Sequence, residues 1–252
     1  MTETATKTVY NIPSGQPFAR TIIRSLLEET QSCPEDLTQY IILLPTRRAC
    51  RTFQEIFLQE TGGRPLLLPK IQPMGDVDEQ DLSLSLAGTD ALEDILALPP
   101  AISPLRRRIL LAKTIQAIEG FTNGFDQALA LGDTLASFLD QIIIEDLEFS
   151  DLSRIVPEEF SEHWQITLDF LKILSEAWPK ILNEEGVIDG ADRRNRLMGI
   201  LSAHWQKTRP DTPIIAAGST GSIPATAKLL SVIAGLPNGK LVLPGLDTHI
   251  DQ

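Results

Sequence analysis

At 252 residues the chain is long enough to bury a sizeable core, and length alone allows one large domain or two small ones. Its 42% hydrophobic content is ordinary for a globular protein, its net charge of -12 argues against general coating of nucleic acid, and two cysteines are too few for a disulfide framework. Apolar runs such as Ile41 to Leu44 are far shorter than the roughly 20 residues of a membrane helix, and MTETATKTVY has no signal-peptide core or cleavage pattern, so the expected location is cytoplasmic and away from membranes.

The first stretch reads as strand, turn and helix: TVYNI, then PSGQPF, then ARTIIRSLLEET with Ile22, Ile23, Leu26 and Leu27 on one face. Next come YIILLP, an apolar run of strand length, and TRRACRTFQEIFLQET, whose Cys50, Phe53, Ile56 and Phe57 recur at helical spacing. PLLLPKI reads as a third strand. Strands apolar throughout that alternate with helices point to a parallel sheet covered on both faces.

From Gln72 to about Arg209 the pattern turns to helices and acidic or proline-bearing loops. Ser103-Pro104 opens a helix through Gly120, in which Leu105, Ile109, Ala112 and Ile115 share a face with the arginines mostly opposite. Further helices are expected over 125–144, 157–185 and 189–207, the second carrying Trp164, Leu168, Leu171, Leu174, Trp178 and Ile181 as a core stripe. The α/β pattern then resumes with TPIIAAGST, a helix from Pro224 to Gly235, and GKLVLPGLD. A sheet that starts before a helical stretch and resumes after it implies one discontinuous α/β domain, 1–75 with 210–252, holding an all-helical insertion, 76–209. A last strand with no covering helix suggests the N-terminal piece of a longer protein.

Charge is distributed unevenly. Seven acidic and no basic residues lie between Asp76 and Asp94, while arginines cluster at 47, 48 and 51, at 106 to 108, and at 193, 194 and 196. Such clusters are commonly solvated helix faces, and local basic grooves on an acidic body are the alternative.

A phosphate-binding loop requires glycines, a lysine for the β and γ phosphates and a Ser/Thr hydroxyl for Mg²⁺. The turn after the first strand, Ser14, Gly15, Gln16 and Pro17, has one glycine, and the lysine position falls among Pro17, Phe18 and Ala19. The acidic pair that holds Mg²⁺ and polarises water belongs at the end of a later strand. The corresponding strand ends in Ala217, Gly218, Ser219 and Thr220. No ATPase activity, catalytic residue, metal or cofactor is therefore expected in this chain. Cys33 and Cys50 have no metal-ligand spacing, and His163, His204 and His249 have no cysteine or histidine at i+3 or i+4.

As an ordered set, IPSGQPF, LLPTRRACR, LLLPKIQPMGD, a helical stretch, IIAAGSTGSIPATAKLL and KLVLPGLD resemble the N-terminal region of the AddB family, in its alphaproteobacterial form. AddB is the B subunit of the bacterial AddAB helicase-nuclease. The resemblance spans essentially the whole chain. It implies a P-loop, superfamily 1 helicase-like (RecA-like) domain 1A with a helical 1B insertion, followed in the native protein by a second helicase-like domain and a nuclease domain. It further implies a role in double-strand break repair by resection and recombination, with an AddA-type motor subunit as partner and single-stranded DNA at a duplex end as substrate. LLPTRRA stands in the place of helicase motif Ia, so Thr46, Arg47 and Arg48 become DNA-contact candidates. A hydroxyl and guanidinium groups at a strand-to-helix turn are reasonable phosphate contacts in themselves; a capping Thr46 beside two solvated arginines is the plain alternative. Rival functions are a nucleotide- or small-molecule-binding α/β protein with its site at the strands' carboxyl ends, and a pure interaction domain.

Overall fold

The run Ile41–Leu44 is apolar throughout because it is covered on both sides: Ile42 and Leu44 pack into one core cluster, while Ile41 and Leu43 line a cavity on the other face with Leu201 and Leu229. This is the alternation a two-sided parallel strand requires. The computed structural model describes residues 8–74, 79, 82–83, 86–117, 122, 124–147 and 175–246. Among these, β1 (Val9–Ile12), β2 (Ile41–Leu44), β3 (Lys70–Pro73), β4 (Ile214–Ala217) and β5 (Gly239–Pro244) form one sheet in the order β1-β5-β4-β2-β3, with every pairing parallel.

The chain divides into two compact units, Met1–Ile95 with Met198–Gln252, and Leu96–Leu197. The first contains the sheet and most of α3 (Asp90–Ala97). On one face α1 (Phe18–Glu29) and α2 (Arg47–Glu60) pack together over Ile12, Ile42, Leu44, Ile215 and Ala217, burying Ile23, Leu26, Phe53 and Phe57. Each such fully buried aliphatic or aromatic side chain contributes about 1.5–3 kcal/mol relative to exposure. On the other face lie α7 (Pro224–Ala234), through Leu229, and the end of α6 (Gly190–Thr208), through Leu201. Leu82 and Leu86 line the same cavity as Ile41 and Leu43, so this unit takes in residues on either side of the expected insertion bounds of 76 and 209. His204 and Trp205, both half-buried, line this cavity as well.

β3 begins later than PLLLPKI suggests. Leu67 and Leu68 are exposed, and the first ladder bond on this strand is Lys70 N–H to the Tyr40 carbonyl, 2.9 Å. Pro65 and Pro69, which have no N–H to donate, hold the preceding residues out of the ladder.

In the second unit α4 (Pro104–Gln116) and α5 (Phe125–Ile144) pack closely around Leu111, Ala112, Ile115, Ala128, Leu135 and Leu139, with Trp178 of the helical stretch 175–185 in the same cluster. Ser103 caps α4 by accepting from Arg106 N–H. The inward face of α4 differs from the expected one: Leu105 is 67% exposed, whereas Arg107 turns inside. Two carboxylates draw it there. Asp189 Oδ1 lies 2.7 Å from its Nε and Asp140 Oδ1 lies 2.9 Å from its Nη1. Trp164, Leu168, Leu171 and Leu174 of the expected core stripe lie outside the described residues, while Trp178 and Ile181 pack as expected.

Candidate functional site

Between β2 and β4 the chain diverges: β2 continues through α2 to β3 on one side, and β4 continues through α7 to β5 on the other. The carboxyl ends of strands at such a switch point leave a crevice that α/β proteins use for ligands. Two of the three turns singled out in the sequence flank this point, and the third reaches it from β1.

Gly218, the first residue after β4, is where they meet. It has φ +79°, and its N–H donates to the Val242 carbonyl at 3.0 Å. A Cβ placed on Gly218 would lie 3.4 Å from Phe18 Cε1 and 3.6 Å from Pro45 Cγ. Side chains from the β1–α1 and β2–α2 turns thus close on the β4–α7 turn at a residue with no side chain of its own. The turn after β5 joins as well. Gly245 N–H donates to the Ile12 carbonyl at 2.7 Å, and the Asn11 side chain both donates to and accepts from the Leu246 backbone.

The individual candidates take different places on this rim. Ser14, Gly15, Gln16 and Pro17 are all exposed; Gly15 has φ +98° with open space around it, and Gln16 N–H closes the turn onto the Pro13 carbonyl. Ala217 is fully buried, Gly218 and Ser219 are half-buried, Thr220 is exposed, and Ser219 Oγ accepts from Gly221 N–H at 3.3 Å. Thr46 is the N-cap of α2, its hydroxyl accepting from Ala49 N–H at 3.1 Å. Arg47 and Arg48 are exposed at the first helical positions, and Arg51 is exposed one turn on.

The electrostatics of the rim run against the whole protein's. The first turns of α1, α2 and α7 contain no acidic residue, and neither α1 nor α7 has a side-chain cap. A helix N-terminus carries about half a positive charge, which cations there raise further at a cost of about 0.3–1 kcal/mol each. Arg47 and Arg48, in the first turn, therefore gain no stability from the helix dipole, and Arg51, at the fifth helical position, lies beyond its reach. In a chain of net charge -12 they make a local positive edge.

Elsewhere, Cys50 is buried on the inner face of α2, and burial pushes its thiol pKa up, which is unsuited to a nucleophile or ligand. Cys33 is exposed at the start of a 3₁₀ turn. No group of three His, Cys, Asp or Glu side chains suited to a metal occurs among the described residues. His163 and His249 lie outside them.

Sequence patterns did not single out the charge cluster inside the helical unit. Arg107 is held between Asp140 and Asp189, and Trp178 Nε1 donates to Asp189 Oδ2 at 2.9 Å. The ions touch without aligning: Arg107 Nε and Nη2 and both Oδ1 atoms are buried with no well-directed hydrogen bond. Burial raises the Asp189 pKa, against the opposing pull of Arg107 and Trp178. Helical spacing places Arg107 opposite the expected stripe of Leu105, Ile109, Ala112 and Ile115, and its position one turn before the buried Leu111 is visible only once the inward face is known.

Set against models of known protein families and against curated proteins, the chain matches none.

Proposed function

We propose that the rim formed by the turns after β1, β2 and β4 contacts the phosphate backbone of single-stranded DNA, and that the chain is a non-catalytic helicase-like module of an AddB-type subunit acting in break resection. The observation that carries this reading is the arginine group Arg47, Arg48 and Arg51 at the positive end of α2, on an otherwise strongly acidic protein. Fixed positive charge where helix stability disfavours it suits an anion that runs past several sites, as a nucleic-acid backbone does. An all-parallel sheet assembled from segments before and after a helical unit supports the helicase-like frame. An AddA-type motor would supply ATP-driven movement, since the β1–α1 and β4–α7 turns of this chain offer no lysine and no acidic pair.

The partition of roles within the rim follows from its chemistry. Thr46 organises the turn by capping α2, and Arg48 and Arg51, which make no ion pair among the described residues, are the phosphate contacts, joined by Arg47. Fluorescence anisotropy of a labelled oligo(dT) with the 252-residue chain tests the proposal. Binding that weakens when Arg47 and Arg48 are both alanine supports it; binding that does not change removes the α2 turn from the site.

A second reading is a small nucleotide or anion at the same switch point, favoured by the convergence of three turns at Gly218. It predicts saturable nucleotide binding that survives loss of Arg48 and Arg51. The apolar Phe18 ring beside Gly218, where a phosphate-binding loop would present a cation, favours the strand instead.

A further inference from the structure

We propose that Phe18 is a clasp holding the three rim turns in register, so that the turn standing where a phosphate-binding loop belongs acts as a buttress for the strand-contact turn at Thr46 to Arg48. The functional consequence rests on the strand-binding reading, whereas the clasp itself rests on the rim's geometry. Phe18 is the first residue of α1 and is half-buried against the core cluster under α1 and α2. Its Cε1 and Pro45 Cγ stand 3.4 and 3.6 Å from the Cβ position of Gly218. Gly218 is in turn fixed from the sheet side by its bond to Val242 and occupies the left-handed region, where a side chain would be strained. An aromatic ring with two torsions, rooted in a core, is a rigid stop.

The consequence concerns order. Pro45 immediately precedes Thr46, which caps α2 and so sets the direction of Arg47 and Arg48. With Pro45 and Phe18 both closing on Gly218, this turn needs little further ordering when an anion arrives, and pre-ordering a contact raises affinity without adding one. A turn that moved during a nucleotide cycle would have to break the same packing. The contact is therefore built to be static.

Hydrogen exchange on the 252-residue chain tests the clasp without DNA. Phe18→Ala is expected to speed exchange at Thr46 to Cys50 and at Gly218 to Ser222 while β2 and β4 stay protected, and Phe18→Leu is expected to restore most of the protection. Pro45→Ala removes the other side of the contact without touching the core cluster, and is expected to loosen Gly218 to Ser222 as well. With oligo(dT), Phe18→Ala is expected to lower affinity by up to about tenfold, leaving the salt dependence unchanged because no phosphate contact is lost. Wild-type exchange at the rim in Phe18→Ala, or loosening spread evenly through the sheet, overturns the clasp. Loosened turns in a chain that binds no oligo(dT) uphold the clasp and overturn the strand contact.

Discussion

Arg107 Nε lies 2.7 Å from Asp189 Oδ1 inside the helical unit, with side chains only 11% and 5% exposed. Pairs this deep cost so much desolvation that their net contribution is small, yet removing one partner strands the other. Arg107→Ala leaves both Asp189 and Asp140 facing no cation and is expected to destabilise this unit by about 3–5 kcal/mol. Asp189→Asn, which keeps an acceptor for Trp178, is expected to cost less, and the double variant less than Arg107→Ala alone. Urea denaturation followed by hydrogen exchange in residues 104–144 measures all three.

The same carboxyl sets a pH dependence of known sign. Because the Asp189 pKa is raised on folding, its contribution is fully present below the unfolded value of about 4 and is lost as pH rises through the folded value. Half-buried Glu60 and exposed Asp90 and Glu185 are shifted down by Arg24, Lys207 and Arg106 and act in the opposite direction. The difference between wild type and Asp189→Asn isolates the buried group. In that difference, wild type is expected to gain stability as pH falls toward 4. A flat difference would mean that Arg107 fully compensates the burial.

Two glycines should separate space from backbone strain. A Cβ on Gly239 would lie 1.8 Å from the Ile233 carbonyl oxygen, between α7 and β5, so Gly239→Ala has to move backbone and is expected to cost about 3 kcal/mol or more. Gly15 has φ +98° and nothing within 4 Å, so Gly15→Ala is expected to cost only about 1–2 kcal/mol from the left-handed conformation. Thermal unfolding of the two variants gives the comparison.

At the start of α2, stability and binding should separate by residue. Thr46→Ala removes the cap bond to Ala49 N–H and is expected to cost about 1 kcal/mol, with Thr46→Ser restoring it. Arg48→Ala removes a cation from a positive helix end and is expected to leave stability unchanged or raise it by about 0.3–1 kcal/mol. Chemical denaturation distinguishes a capping residue from a contact residue in this pair.

How far the sequence reaches is clear from particular elements. β2 and β4 were legible because each is buried on both faces and reads as an unbroken apolar run, and the Thr46 cap because threonine at a strand-to-helix turn has a known local partner. The strand order was not, since placing β5 between β1 and β4 depends on contacts more than 200 residues apart, such as Val9 with Leu241. Arg107 was misplaced because helical spacing shows which residues share a face but not which face has carboxylates waiting. Phe18 at Gly218 was equally hidden: three turns could be expected at one edge, but only coordinates place a ring from one beside the glycine of another.

The most direct test of the strand-contact account is the salt dependence of oligo(dT) binding, compared between wild type and Arg48→Ala. Each phosphate contact on a single strand contributes about 0.7 to the slope of log affinity against log salt, so the variant's slope is expected to be shallower by about that amount. The loss should be equal for oligo(dT) and oligo(dC), because a phosphate contact carries no base information. An identical slope in the two proteins, or no salt-dependent binding by wild type, would contradict the account.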